Sequence, residues 1–332
     1  MKPKVLYLSH ADEALYDLIR QAAGESFEVL TLEADDDSER AAKLADADAV
    51  IVASKPFTRP LIEAARKLAF VHHQGVGFQD TIDLEALAER APPLAITPGG
   101  TTVGVAEHAV LLMLATLRRL PYADSELRQG RYHINALRPH SRELSGMTVG
   151  FLGMGRIGQA TAERLKPFGI TGLYHDPAVT LPADRERALG ATAAGFDELL
   201  ATSDIVSLHM PLTPATRHVI DAGAIARMKA SAILINTARG GLVDESALAA
   251  ALLSGRLAGA GLDVQETEPP APDNPLLSLP NVVLTPHISA GTRDAFQQKM
   301  DAIFANLAAF FAGRPAENLV DYVTPLRRSV TA

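Results

Sequence analysis

A glycine-rich turn between two apolar stretches has the spacing needed to bind a phosphate group. Residues 153–158 read Gly-Met-Gly-Arg-Ile-Gly and directly follow the apolar, partly β-branched run 148–152. In a Gly-x-Gly-x-x-Gly turn of this kind, Gly153 allows a tight turn and Gly155 lets the backbone approach a pyrophosphate. Gly158 lets the following helix pack closely on the strand. The pattern therefore predicts a strand, a phosphate-binding turn and a helix.

A carboxylate follows this turn at the spacing expected for a nucleotide ribose. The strand-like run 172–175 ends at Asp176, eighteen residues after Gly158, where an acid can accept hydrogen bonds from a ribose diol. The amides of Arg156 and Ile157 would open the helix, where the positive dipole end attracts phosphate. Glycine-rich turns also occur in other α/β proteins, but these would not need the acid. The combination predicts a dinucleotide-binding site.

Four ionisable residues follow later predicted strands, namely Arg239, Asp263, Glu268 and His287. Each has an ordinary explanation when taken alone. Arg239 could form a surface ion pair, Glu268 lies in an acidic, proline-rich loop, and Asp263 and His287 could cap turns. Because ligands bind at the carboxyl ends of strands in open parallel sheets, we expect these four side chains to line one crevice.

Short apolar runs alternate with helical stretches along the whole chain. This alternation predicts an α/β protein with parallel sheets, in two Rossmann-like or flavodoxin-like domains of which the outer one is discontinuous. The predicted strands are 5–8, 29–32, 49–53, 69–72 and 94–97 in the first part, and 148–152, 172–175, 205–209, 234–236, 259–264 and 282–285 in the second.

The length of 332 residues exceeds what one hydrophobic core usually covers, so two domains are expected. Residues 101–120 predict a long buried helix that Pro121 would end, and the polar segment 122–145 predicts an arm or loop. A last helix over 293–312 would return the chain to the first domain. We therefore expect an outer domain formed by 1–104 and 290–332, and a dinucleotide-binding domain formed by 105–289.

The composition excludes several classes of partner. A hydrophobic fraction of 47% with 21% charged residues is typical of a globular protein with a sizeable core, and the net charge of −8 without a basic patch argues against nucleic acid. The longest apolar runs, such as 109–115, are too short to span a membrane. The absence of cysteine and of a signal-like start predicts a cytoplasmic protein. No histidine spacing suggests a metal site; adjacent His72 and His73 would point to opposite faces of a strand.

Taken together, these motifs resemble the D-isomer-specific 2-hydroxyacid dehydrogenase family. This NAD-dependent group includes phosphoglycerate dehydrogenase and hydroxypyruvate or glyoxylate reductase. The resemblance runs from about Gly75 to Ala290, whereas the first seventy residues match only loosely. The matching segments are VGFLGMGRIG, HMPLTPATRHVI, MKASAILINTARGGLVDESAL, GAGLDVQETEP and VVLTPHIS.

The resemblance implies a role for each catalytic candidate. Arg239 would anchor the substrate, because a guanidinium fork fits the carboxylate and carbonyl of a 2-keto acid. His287 would act as the acid or base and Glu268 as its orienting partner. The amides of Val76 and Gly77 would meet the substrate carboxylate. Domain closure near residues 104 and 290 would exclude water from a cleft between the substrate-binding and NAD-binding domains.

The resemblance also implies an NAD site. Asp176 favours NAD over NADP, because its carboxylate would repel a 2′-phosphate and no arginine follows it immediately. The implied contacts are Gly153, Gly155, Arg156, Ile157, Gly158 and Asp176 for the pyrophosphate and ribose, Met210 and Pro211 for the adenosine half, Thr237 and Ala238 for the nicotinamide side, Asp263 for the carboxamide, and His287 to Ala290 closing the pocket.

Several alternatives stay open at this point. The chain could be a dinucleotide-sensing regulator like the corepressors of the same superfamily, or an enzyme that acts on phosphite; formate enzymes are expected to carry glutamine in place of Glu268. The loop 77–83 is one residue longer than the usual pattern, so the preferred 2-hydroxy acid is not predicted. A homodimer is expected, with the helix after Thr101 and the segment 122–145 as its contact surface.

Overall fold

A computed structural model describes residues 2–324 and divides into two compact units. Unit 1 contains residues 2–101 and 293–324, and unit 2 contains residues 102–292. The strands are β1 (Lys4–Tyr7), β2 (Glu28–Leu30), β3 (Ala49–Val52), β4 (Phe70–His73), β5 (Leu94–Ile96), β6 (Thr148–Leu152), β7 (Thr171–His175), β8 (Ala191–Ala193), β9 (Ile205–Leu208), β10 (Ile233–Asn236), β11 (Gly259–Leu262) and β12 (Val282–Leu284).

The helices alternate with these strands over most of the chain. They are α1 (Glu13–Ala23), α2 (Asp37–Leu44), α3 (Arg59–Ala64), α4 (Leu84–Arg90), α5 (Thr102–Leu117), α6 (Leu120–Arg128), α7 (Arg156–Leu165), α8 (Ala183–Leu189), α9 (Phe196–Thr202), α10 (Ala222–Arg227), α11 (Glu245–Leu253) and α12 (Arg293–Phe311). None of the helices in the described residues is long and apolar enough to cross a membrane.

Unit 1 is built on a parallel sheet of five strands in the order β2-β1-β3-β4-β5. The central strands β3 and β4 are buried on both faces, as is typical of strands inside a parallel sheet. One face packs against α1 and α12, where Met300 and Phe304 of α12 join Val5 and Phe70 in one core cluster. Helix α12 therefore completes a core that begins with the first strand.

Unit 2 is a parallel sheet of seven strands in the order β12-β11-β10-β9-β6-β7-β8. After β6 the chain adds β7 and β8 on one side, and then returns to add β9 to β12 on the other side, so that β9 pairs with β6. In open α/β sheets ligands bind at such a reversal, outside the carboxyl ends of the strands, which are β6 and β9 here. The predicted fold class, α/β with two parallel sheets, is confirmed.

One predicted boundary is wrong. Pro121 does not end a long helix; α5 ends at Leu117, and α6 then begins at Leu120 with Pro121 in its first turn. Proline fits there because its missing N–H is one of the donors that lack an intrahelical partner. The break between the helices lies at Arg119, which adopts a left-handed conformation with φ +50°. The first part of the predicted arm is therefore helical.

Candidate active site

The glycine turn after β6 keeps its shape through two close backbone contacts. Gly153 has φ +98°, and a Cβ there would lie 2.7 Å from the carbonyl carbon and oxygen of His209. A Cβ on Gly158 would lie 2.3 Å from the Gly153 carbonyl oxygen. Gly155 differs, because a Cβ there would meet no atom within 4 Å. Two glycines thus allow packing, and the third leaves an open backbone surface at the start of α7.

Asp176 lies at the end of β7 and ties its own loop to this turn. Its Oδ2 accepts a hydrogen bond from the Met154 amide at 2.7 Å, and its Oδ1 accepts from the amides of Ala178 and Val179 at 2.8 and 3.0 Å. The carboxylate is therefore held beside the glycine turn. An open turn, the N-terminus of a ten-residue helix and a fixed carboxylate fit the pyrophosphate and ribose of a dinucleotide.

Thr237 adds a second observation that fits a bound ligand in unit 2. Its side chain is 6% exposed, and Oγ1 has no hydrogen-bond partner among the described residues. Because a buried hydroxyl without a partner is costly, a ligand that supplies one would be favoured at the end of β10. The sequence predicts this residue for the nicotinamide side of the cofactor.

The turn that carries Arg239 is shaped by a buried amide that the sequence did not single out. Asn236, 1% exposed, donates from Nδ2 to the Arg239 carbonyl at 2.9 Å and accepts from the Ala238 amide at 3.0 Å. The Arg239 guanidinium donates from Nη1 to the Ala238 carbonyl at 2.8 Å. Asn236 therefore fixes both sides of the turn from which the guanidinium extends.

Gly240 brings the loop after β11 against this turn. A Cβ on Gly240 would lie 1.8 Å from the Gln265 carbonyl oxygen and 2.4 Å from the Glu266 amide nitrogen, so only glycine fits. The loop then reaches Glu268, whose Oε1 accepts from the Gln265 amide at 3.0 Å. The absence of a side chain at Gly240 thus sets the spacing between the Arg239 turn and the Glu268 loop.

Glu268 and His287 form a hydrogen-bonded pair. His287 donates from Nδ1 to Glu268 Oε2 at 2.8 Å, with the two side chains 46% and 36% exposed. The hydrogen bond to Glu268 raises the pKa of His287 above its usual value, although partial burial and the charge of Arg239 oppose the rise. Partial burial alone would raise the pKa of Glu268, but the bonds from His287 and the Gln265 amide outweigh it and lower that pKa. Nε2 of His287 stays available for proton exchange.

Asp263 holds the backbone of the loop that carries His287. Its carbonyl oxygen accepts from the His287 amide at 2.7 Å, while its carboxylate accepts from the amides of Ile288 and Ser289 at 2.9 and 2.8 Å. The side chain is fully buried. These bonds give Asp263 a shaping role that the sequence did not indicate, and its contact with a carboxamide stays a prediction.

The remaining predicted residues lie on loops of their own units. Met210 and Pro211 follow β9 in unit 2, and the Pro211 carbonyl accepts from Thr216 Oγ1 at 2.8 Å. Val76 and Gly77 belong to unit 1, between β4 and a single 3-10 turn at Phe78–Asp80. Ala238 and Ala290 are half-buried in unit 2. Their contacts with a ligand stay predictions.

Comparison with known proteins identifies the family. The family model described as D-isomer specific 2-hydroxyacid dehydrogenase, NAD binding domain, matches residues 110–289. The chain belongs to this family. The dinucleotide site expected from the glycine turn and the nicotinamide cofactor implied by the resemblance are confirmed by this match and by relatives solved with or named for a nicotinamide dinucleotide.

Several relatives cover most of the chain. It is 40% identical to D-3-phosphoglycerate dehydrogenase of Archaeoglobus fulgidus over 275 residues, which is 82% of this chain but 51% of that protein. It is 40% identical to glyoxylate reductase of Korarchaeum cryptofilum over 84% of both chains. The chain thus spans about half the length of the phosphoglycerate dehydrogenases it matches.

Solved structures agree with this assignment. The apo-structure of D-lactate dehydrogenase from Escherichia coli aligns with a TM-score of 0.85 and 27% identity, covering 97% of this chain and 100% of that one. The NADPH-dependent glyoxylate/hydroxypyruvate reductase of Sinorhizobium meliloti aligns with a TM-score of 0.82 and 33% identity, covering 97% and 99%.

Proposed function

We propose that this chain is an NAD-dependent D-2-hydroxyacid dehydrogenase that interconverts a 2-keto acid and a D-2-hydroxy acid. The observation that carries the proposal is the 2.8 Å hydrogen bond between His287 Nδ1 and Glu268 Oε2. This pair lies in the same unit as the Arg239 turn and the glycine turn. Hydride transfer to a carbonyl requires a proton donor such as an imidazole and benefits from a guanidinium that binds the substrate, and unit 2 supplies both together with the glycine turn.

His287 would exchange the proton of the reaction through Nε2. In reduction the carbonyl oxygen gains negative charge and takes this proton, and in oxidation the imidazole takes the hydroxyl proton back. Glu268 favours the protonated ring, which is the form that reduction needs. General acid catalysis of this kind accelerates a reaction about 10²- to 10⁴-fold.

Arg239 would bind the substrate carboxylate and carbonyl with its fork of donors, which a lysine could not reproduce. The Asn236 bonds on both sides of the turn would limit the loss of conformational entropy on binding. We also propose that the backbone amides of Val76 and Gly77 bind the substrate carboxylate, as the resemblance implies.

The cofactor would be held in unit 2 by the glycine turn and the strand ends. When bound, NAD(H) supplies or accepts the hydride at the substrate carbon. We propose NAD over NADP, because the fixed Asp176 carboxylate would repel a 2′-phosphate. The proposed contacts are the amides of Arg156 and Ile157, Asp176, Met210, Pro211, Thr237, Ala238, Asp263 and the segment from His287 to Ala290.

A substrate panel tests the proposal. Purified protein is mixed with NADH and glyoxylate, hydroxypyruvate, pyruvate or longer 2-keto acids, and oxidation of NADH is followed by absorbance. We expect turnover with at least one of them and, for the keto acids whose product is chiral, formation of the D-isomer. NADH binding without turnover of any keto acid would favour the regulator, and NADH production from phosphite would favour a phosphite enzyme.

We further propose a homodimer formed through unit 2. Large apolar side chains are exposed along α5, α6 and the segment after α6: Leu111, Leu120 and Leu127 are 50%, 52% and 59% exposed, and Tyr132 and Ile134 are 74% and 60% exposed. Apolar side chains concentrated in this way mark interaction surfaces. Sedimentation should give a dimer at micromolar concentration and a monomer for Leu127→Asp; a wild-type monomer would contradict the proposal.

The proposed compartment is the cytoplasm, because a chain without cysteine needs no oxidising environment to fold. The proposed partner is a small 2-keto or 2-hydroxy acid. A net charge of −8 does not favour binding to nucleic acid.

A further inference from the structure

Helix α5 contacts the loop that carries His287 at two points one helical turn apart. A Cβ on Gly104 would lie 2.9 Å from the Ser289 carbonyl oxygen, so the loop rests directly on the helix backbone. Four residues later, His108 lies 2.9 Å from Thr285 through its Nε2 and the threonine Oγ1. Residues four apart lie on the same helix face, so α5 supports the loop at both of its ends.

The direction of the hydrogen bonds follows from the single proton of the Thr285 hydroxyl. Thr285 donates this proton to Asp263 Oδ1 at 2.6 Å, a short bond typical of a hydroxyl and a carboxylate. Its oxygen can then only accept from His108, so His108 carries a proton on Nε2. His108 Nε2 is 3.5 Å from Asp263 Oδ1, so the threonine hydroxyl bridges the two side chains.

Asp263 in turn fixes an unusual backbone conformation at His287. This residue has φ +52°, a left-handed conformation that is uncommon for residues other than glycine and has a cost in free energy. Three consecutive amides, from His287 to Ser289, donate to Asp263 and offset this cost. The backbone carbonyl of Asp263 accepts from His287, and its fully buried carboxylate accepts from Ile288 and Ser289. The same carboxylate accepts from the Thr285 hydroxyl, so its orientation depends on this side chain.

We propose that His108 is a positioning residue for the acid/base histidine. By donating to Thr285, it fixes the hydroxyl that orients Asp263, and Asp263 holds the backbone at His287 in the conformation in which the imidazole meets Glu268. His108 does not itself touch the substrate or the cofactor in this role. The expected effect on kcat rests on the proposed function, whereas the expected effect on the backbone of the His287 loop does not.

The test compares His108→Leu, which removes the donor, with His108→Gln, whose side-chain amide can still donate to Thr285. We expect His108→Leu to lower kcat about five- to tenfold, the size of one lost hydrogen bond, with NADH affinity changed less than twofold. The amides of Ile288 and Ser289 should exchange hydrogen about tenfold faster than in the wild type. His108→Gln should restore most of both properties.

A second pair of variants covers the case in which His108→Leu does not fold. Thr285→Val removes the bridging hydroxyl, whereas Thr285→Ser keeps it. The valine variant should lower kcat and speed exchange at Ile288 and Ser289, and the serine variant should not. Equal behaviour of the leucine and glutamine variants, or of the valine and serine variants, would overturn the proposal.

The two measurements also separate this proposal from the proposed function. If the wild type reduces no keto acid but exchange at Ile288 still responds to His108→Leu, the dehydrogenase assignment fails and the positioning role stands. If the wild type reduces keto acids but His108→Leu changes neither kcat nor amide exchange, the positioning role fails and the dehydrogenase assignment stands.

Discussion

Replacing Gly155 with alanine should separate cofactor binding from folding. In the structure a methyl group at this position meets no protein atom within 4 Å, and the backbone angles of φ −70° and ψ −164° are accessible to alanine. The substitution therefore creates no steric clash in the folded protein. A pyrophosphate that rests on this turn would meet the methyl group directly.

We expect Gly155→Ala to have a small effect on the stability of the fold and a larger effect on NADH affinity. Gly155 is the N-cap of α7, and exchanging a glycine cap for alanine costs up to about 1 kcal/mol in the free energy of unfolding. Such a cost lowers Tm by roughly 2–4 °C for a unit of this size. Losing one charged hydrogen bond to phosphate costs about 1.5–3 kcal/mol, so NADH affinity should fall roughly tenfold to a hundredfold.

Gly195 provides a matched control. It is the N-cap of α9, and a Cβ there also meets no atom within 4 Å, but no cofactor contact is proposed for it. Gly195→Ala should lower Tm as Gly155→Ala does and leave NADH binding unchanged. Titration of NADH fluorescence and thermal unfolding measure the two properties. If both variants bind NADH with equal affinity, the pyrophosphate does not rest on the Gly155 turn.

Three further sets of variants test the catalytic pair, the choice of cofactor and a buried histidine. Glu268→Gln keeps an oxygen that can accept from His287 Nδ1 but removes the negative charge that helps to raise the pKa of His287, so the pH above which kcat for reduction declines should move down, and an unchanged pH profile would contradict the pairing. His287→Asn should lower kcat about 10²- to 10⁴-fold while NADH affinity in a fluorescence titration stays within twofold; equal losses in both would refute its role as acid or base. Asp176→Ala should raise kcat/KM with NADPH relative to NADH, and an unaltered ratio would count against the ribose contact. Burial lowers the pKa of His72 from 6.5 to about 4, so the unfolded chain binds its proton more readily and the free energy of unfolding should fall as the pH drops from 6.5 towards 4. The loss from this group reaches at most about 3 kcal/mol. In denaturant titrations at several pH values, His72→Gln should make the free energy of unfolding depend less on pH across this range, whereas an equal dependence would assign the loss to other groups.

The parts that the sequence predicted well are those in which nearby residues determine the structure. The glycine turn after residue 152 is predicted by a spacing of glycines that lies within one strand, turn and helix. The alternation of strands and helices likewise depends on local apolar patterning. Both predictions therefore needed no knowledge of distant residues.

The parts that the sequence missed depend on contacts between distant segments. Nothing in the local sequence indicates that the Gln265 carbonyl lies against Gly240. Asn236 could have been noticed, because a polar residue at the end of an apolar run needs buried partners. His108 lies in an apolar helix 177 residues from Thr285, and nothing in the local pattern links them.

Local patterns also misled in one place. The sequence predicts Pro121 as the end of a helix, but proline is equally suited to the beginning of one. One long helix up to Pro121 and two helices separated before it differ in the conformation of Arg119, which the sequence does not specify.

The split of unit 1 has a consequence for its synthesis on the ribosome. Residues up to 101 are translated first, whereas α12 follows only at residue 293, about 190 residues later. At about 5–20 residues per second, this interval lasts roughly 10 to 40 seconds. Until then Met300 and Phe304 cannot cover Val5 and Phe70, so the nascent sheet keeps an apolar face open to solvent and to chaperones. Unit 2 is continuous in the chain, and the ribosome synthesises it during this interval.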